Sequence, residues 1–206
     1  MRPVVRPVYT GTLYQNYGSY LKPLLKAFGR YCSYCERPDK LDVEHVVPKS
    51  HRPDLELEWT NLLLGCPRCN RDFKKNHNDS RDGYIRPDKD NTFALLRYLP
   101  SGAVKPATGL TQTEQARTQA TIDLVKLDDG KLTQQPLNLA RRQTFQMANR
   151  VKGRYQNQNA TMEEICEMAV LGYWSVWMTV FADIPEVVDA LQNMPEYPHT
   201  RPVRNL

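Results

Sequence analysis

The chain has 206 residues, 40% of them hydrophobic and 25% charged, with a formal net charge of +5. This composition excludes collagen-like, coiled-coil and wholly disordered chains. The length suits one domain, or one domain with a small lobe, and the basic balance favours a polyanionic partner.

The first 26 residues read as an extended arm rich in Pro and Tyr, followed by a short helix near Leu21–Phe28. Leu41-Asp42-Val43-Glu44-His45-Val46-Val47 alternates weakly and is β-branched, which predicts a strand that Pro48 ends. Leu62-Leu63-Leu64 predicts a return strand. From Pro67 the sequence favours a helix, with proline allowed in its first turn. Residues 77–110 are punctuated by Gly and Pro and read as loop, with one short strand at Leu95, Leu96 and Tyr98.

The remainder reads helical. Thr111 and Glu114 form a capping-box pattern, residues 137–150 a second helix, and Thr161 with Glu164 another capping box. The uncharged run Met168–Ala182 follows, bounded by Glu167 and Asp183. At ~1.5 Å per residue it falls short of a ~30 Å hydrocarbon core, so it predicts a buried helix rather than a membrane span. Pro185 breaks that helix or starts a last one through Leu191. The amino terminus lacks the apolar stretch of a secretory signal, and the expected location is cytoplasmic.

Charge is uneven. Residues 1–81 carry 14 basic and 9 acidic side chains, net +5. Residues 140–154 carry five basic side chains (Arg141, Arg142, Arg150, Lys152 and Arg154) and no acidic ones, which offers a further track for phosphate. Residues 155–206 are net −5.

Cys32/Cys35 and Cys66/Cys69 form two CxxC knuckles, while Cys166 stands alone on a predicted core helix. In a reducing compartment paired CxxC reads as metal. Four thiolates suit tetrahedral Zn²⁺ and leave no open position, so the ion would be structural, stapling a segment too polar to fold alone.

Between the knuckles stand Glu44-His45 and Asn61, and the second knuckle runs on as Cys66-Pro67-Arg68-Cys69-Asn70. This pattern resembles the HNH nucleases with a ββα-metal core, in a His-Asn-Asn variant, over about residues 31–76. The fold class is then α+β: a zinc-stapled ββα-metal core with a mainly helical carboxy-terminal lobe. The expected divisions are an arm (1–26), the core (27–82), a linker (83–110) and a helical lobe (111–206).

The resemblance implies phosphodiester hydrolysis. His45, with an ordinary pKa of ~6.5, can take a proton from water near neutral pH. Glu44 and Asn70 supply hard oxygen ligands suited to a catalytic Mg²⁺ or Mn²⁺. Asn61 matches the family's strand asparagine, which holds the loop and orients the histidine. Neighbours on a regular strand face opposite ways, so convergence of Glu44 and His45 on one phosphate calls for a bulge. The position four residues after Asn70, where some members carry a second helix ligand, is Lys74. His77 is a weak ligand candidate, and His51 faces either phosphate or plain solvent. Lys49, Arg68, Arg71, Lys74 and Lys75 are candidate phosphate contacts that position nucleic acid without reading sequence.

The segments Tyr31-Cys32-Ser33-Tyr34-Cys35-Glu36, Glu44-His45-Val46-Val47-Pro48-Lys49-Ser50 and Trp59-Thr60-Asn61-Leu62-Leu63-Leu64-Gly65-Cys66 narrow the resemblance. They are similar to the HNH proteins of Septu-type and retron-associated anti-phage systems. That implies a DNA endonuclease effector working beside an ABC- or SMC-like ATPase, with the helical lobe as docking surface. The alternatives are an HNH nuclease that cuts RNA such as tRNA, and a catalytically silent zinc-stabilised nucleic-acid-binding module.

Overall fold

A computed structural model describes residues 1–77, 82–131 and 136–203. The expected core, 27–82, runs over residues 78–81, and the acidic tail ends in residues 204–206; both stretches lie outside the described residues.

The arm is tied down along its length. Val4 bridges to Thr200, and Arg6 donates to the carbonyls of Trp59 (2.6 Å) and Leu62 (2.8 Å). A single 3₁₀ turn, Tyr17–Tyr20, is capped by the Asn16 side chain and leads into α1 (Leu21–Phe28). This helix buries Leu24, Ala27 and Phe28 beneath the central ribbon.

β1 (Asp42–His45) pairs antiparallel with β2 (Leu62–Gly65), with His45 opposite Leu62 and Asp42 opposite Gly65. The register is unbroken, so the bulge expected at Glu44-His45 is not formed. The strand bonds regularly because Val46 continues the ladder onto the Asn61 carbonyl at 2.7 Å. All four residues of β2 are buried. An apolar run of this kind has both faces covered.

The segment expected as an α-helix after Pro67 is wound more widely. Arg68–Lys74 forms a π-helix that ends where the Lys75 N–H reaches the Asn70 carbonyl, five residues back, at 2.8 Å. Lys75 then leaves with φ of 47°, in the left-handed region that non-glycine residues seldom enter.

Residues 83–110 hold more than the expected loop. A single turn, α2 (Thr92–Leu95), runs into a hairpin of β3 (Leu96–Tyr98) and β4 (Val104–Pro106). The return strand is short and carries a proline, so its pattern is too brief to read. Gly102 turns the hairpin at φ of 85°, and a Cβ there would meet the Asn138 carbonyl oxygen at 1.8 Å.

The helical half comprises α3 (Gln112–Leu124), α4 (Leu137–Gln156), α5 (Met162–Ala169), α6 (Trp174–Val180) and α7 (Pro185–Gln192). The capping box of Thr111 and Glu114 is formed in both directions. At Thr161 the side chain caps Glu164, whose own carboxylate turns to Arg154. The apolar run Met168–Ala182 is two helices rather than one. Gly172 (φ 106°) and Tyr173 (φ 58°) break it. Trp174 and Trp177 are wholly buried behind the break.

The helical half locks onto the first knuckle. The Tyr173 N–H donates to the Glu36 carbonyl (3.2 Å), and the Ser175 N–H and Oγ donate to the Glu36 carboxylate (3.1 and 2.5 Å). Among the described residues no helix is long and apolar enough to cross a membrane.

Candidate nuclease site

Tight turns at Cys32–Cys35 and Cys66–Cys69 bring four sulfurs within 4.8 Å of one another, all buried. The Cys35 and Cys66 sulfurs are 3.7 Å apart. Two thiolates ~2.3 Å from one zinc at a tetrahedral angle lie ~3.8 Å apart, so the donor set fits zinc in chemistry and in size. Hydrogen bonds from Cys32, Cys35 and Cys69 pull the Cys66 thiol below its ordinary pKa, while the buried Cys32 and Cys69 thiols are pushed up. Arg68 donates to the Cys69 sulfur at 3.7 Å. Cys166 lies outside the cluster, partly buried.

His45 closes β1. Its Nε2 lies 3.0 Å from the backbone carbonyl oxygen of Glu56. A carbonyl only accepts, so Nε2 carries the proton and Nδ1 keeps its lone pair. Burial lowers the His45 pKa below 6.5, so the neutral ring dominates at neutral pH. The Tyr17 ring packs edge-on against the imidazole, 4.8 Å between centroids, and the Lys49 ammonium sits 4.5 Å over that same Tyr17 ring. Lys49 also pairs with the Glu56 carboxylate at 3.0 Å.

Asn61 explains why the Glu56 carbonyl stands there. Its Oδ1 accepts from the Val47 N–H (3.0 Å), and its Nδ2 donates to the carbonyls of Val47 (3.0 Å) and Leu55 (3.2 Å). One buried amide thus clamps both ends of the loop 47–55, and the loop delivers the next carbonyl to His45.

Glu44 points the other way, into the space between the ribbon and the π-helix. It shares that space with Asn70. A Cβ on Gly65 would meet the Asn70 Cβ and the Glu44 Cγ, each at 2.9 Å, so the missing side chain makes room for both. Glu44 Oε2 accepts from the Tyr34 hydroxyl at 3.0 Å, and Oε1 lies 2.6 Å from the Lys74 ammonium. Lys74 also donates to the His45 carbonyl at 2.7 Å. The side chains of Glu44 and Lys74 are 0% and 1% exposed. Burial and the neighbouring Glu44 hold the Tyr34 hydroxyl well above its ordinary pKa, as a proton donor.

The divalent ion expected at Glu44 and Asn70 does not fit this arrangement. An ammonium already stands at the carboxylate, and the pair is closed to solvent.

The expected phosphate contacts divide. Arg68 is buried and binds the carbonyls of Val125 (3.0 Å) and Lys126 (2.7 Å) and the carboxylate of Asp129 (3.0 Å), so it faces the helical half and not a ligand. Lys74 faces Glu44. These two corrections share one cause: the helix lies between two packed layers, which bury two of its four cations. Arg71 and Lys75 are exposed, and Arg71 pairs with Asp42. Lys49 is exposed on the loop. His51 Nε2 meets the Asn76 carbonyl at 2.8 Å, which ties the loop to the helix end beside exposed His77.

The basic track on residues 141–154 is also reduced. Arg141 is buried and donates to the carbonyls of Gly102 and Leu127, Lys152 pairs with Asp183, and Arg154 with Glu164. Sequence reasoning gives no role to Tyr17, Tyr34 or Glu56. Each acts through a contact that no local pattern encodes; the contribution of Glu56 is a backbone oxygen.

A zinc-type cluster of four cysteines, a ββ ribbon and a following helix with His45, Asn61 and Asn70 define the class. Residues 32–78 match the family model described as HNH endonuclease. Among particular proteins, it is 31% identical over 115 residues to "Septu protein PtuB" of Bacillus thuringiensis, covering 53% of this chain and 41% of that protein. It is 28% identical over 112 residues to "Retron Vc95 putative HNH endonuclease" of Vibrio cholerae serotype O1 biovar El Tor, covering 50% and 55%. The chain thus spans about half the length of these curated relatives.

Proposed function

We propose that this chain is an endonuclease that hydrolyses phosphodiester bonds of double-stranded DNA, with His45 as general base. One observation carries the reading: the Glu56 carbonyl holds Nε2–H at 3.0 Å and leaves Nδ1 unprotonated on a half-exposed ring. Nδ1 takes a proton from a water as the water oxygen forms its bond to phosphorus. The bond from phosphorus to the leaving oxygen breaks, and that oxygen takes a proton from solvent. Lys49, exposed over the Tyr17 ring that packs against His45, is a cation for the charge that develops on phosphate. Arg71 and Lys75 extend the contact along the backbone. Asn61 acts as a positioning residue through the loop, and zinc on the four cysteines holds the ribbon to the helix.

The family implies a divalent ion, Mg²⁺ or Mn²⁺, and Glu44 with Asn70 are the ligands this chain offers. No step is assigned to the ion, because the Lys74 ammonium occupies the carboxylate. The same pair favours the second reading, a silent zinc-stabilised binding module. The Septu and retron relatives support a defence role. On this reading the carboxy-terminal lobe docks an ABC- or SMC-like ATPase, and exposed Leu139 and Leu171 are its candidate contacts.

A side-by-side digest of duplex DNA and structured RNA, with His45→Ala as the blank, tests the proposal. Cleavage of the duplex that disappears in the variant supports it. Cleavage of RNA alone moves the substrate class, and cleavage of neither by a folded, zinc-loaded chain favours the silent module.

A further inference from the structure

We infer that Lys74 is the resident cation of the Glu44 site and that it excludes divalent metal from it. The inference rests on the nuclease reading only for the reason a metal would be needed there.

The Lys74 ammonium forms an ion pair with Glu44 Oε1 at 2.6 Å and donates to the His45 carbonyl at 2.7 Å. A carboxylate oxygen and a backbone carbonyl are the hard oxygen donors that a divalent ion also takes. The second carboxylate oxygen is held by the Tyr34 hydroxyl at 3.0 Å. The carboxylate is therefore occupied on both sides by groups of this chain. A dication placed at Oε1 would lie within a few ångströms of the ammonium in a solvent-free space, where like charges repel strongly. Metal and Lys74 exclude each other.

The local winding sets this arrangement. Residues four apart lie on one face of a helix, one above the other. Asn70 and Lys74 stand four apart in the π-helix Arg68–Lys74, so both are brought to the Glu44 side. The strained φ of 47° at Lys75 closes that winding.

The test reads metal binding, so it stands apart from cleavage. Mn²⁺ alone is titrated into the zinc-loaded full chain, and the free-ion signal is followed by electron paramagnetic resonance. Lys74→Met should bind Mn²⁺ about tenfold or more tightly than the wild type, and Lys74→Met with Glu44→Gln should lose that gain. Equal affinity of wild type and Lys74→Met would overturn the inference, as would a gain that survives Glu44→Gln. Should Lys74→Met fail to fold, the wild-type chain answers by amine labelling read out by mass spectrometry. Without Mn²⁺, Lys74 should be labelled far more slowly than the exposed Lys22 and Lys26. Labelling at their rate would show that the pair is not held in solution and would overturn the inference.

Discussion

His45 and Asn61 act as one unit, although only the first would touch substrate. The Asn61 amide makes three hydrogen bonds to the loop that supplies the Glu56 carbonyl. Asn61→Ala leaves a buried N–H and two carbonyls unmet, each worth ~1–3 kcal/mol. It should lower the unfolding midpoint and also the cleavage rate, because the imidazole loses its anchor. Chemical denaturation and single-turnover cleavage measured on the same sample check both. His45 has a lowered pKa, so folding favours its neutral form. The sign follows: its share of stability is full above pH 6.5 and is lost as pH falls through the lowered value. A stability–pH curve for wild type and His45→Gln should diverge only below pH 6.5. His45, Glu44, Asn61 and Asn70 are singled out by type and spacing in the sequence. The directions in which they point are not, because the register of β1 against β2 places Glu44 and His45 on opposite faces.

At the scale of elements, the zinc cluster and the π-helix organise the core. The strand pair and the cysteine knuckles are legible in the sequence because apolar runs and CxxC spacing are local signals. The winding after Pro67 is not legible, because a helical pattern does not distinguish i+4 from i+5 bonding over two turns. Cys66→Ser, or removal of zinc by a chelator, should unfold residues 30–77 locally. Hydrogen exchange with a parallel zinc assay reads this, and unchanged protection in the ribbon would contradict it. Arg68 offers a sharper test of burial. Its position in the motif suggests phosphate, yet it binds Asp129 and two carbonyls. Arg68→Ala takes a buried guanidinium away from Asp129 and two carbonyls, a loss of ~1–3 kcal/mol. It should leave the salt slope of DNA binding unchanged. Lys49→Ala with Lys75→Ala should flatten that slope by up to ~2 with little loss of stability.

Across the whole molecule, the helical half serves as a support for the nuclease core. Glu36 and Arg68 each reach across to it, one from the first knuckle and one from the second. Net charge and helix content are readable from composition and periodicity. The docking is not: contacts such as Tyr31 to the Val170 carbonyl join residues 139 apart in sequence. The same packing buries Arg141, and Lys152 and Arg154 pair with carboxylates, while Arg142 and Arg150 of that segment stay exposed. Deletion of residues 157–206 would strip the cover from the first knuckle, and it should therefore lower the stability of the core itself. Thermal unfolding of the truncated chain checks this, and an unchanged midpoint would mean that the two halves are independent.

In the proposed hydrolysis, neutral His45 held by the Glu56 carbonyl is the base. The most direct measurement is the pH–rate profile of plasmid cleavage for wild type and His45→Ala, with zinc content and fold matched. The wild-type rate should rise with pH through one ionisation below 6.5 and then level off, with the variant losing at least about a hundredfold. A flat wild-type profile, or a variant within about twofold of wild type, would contradict it.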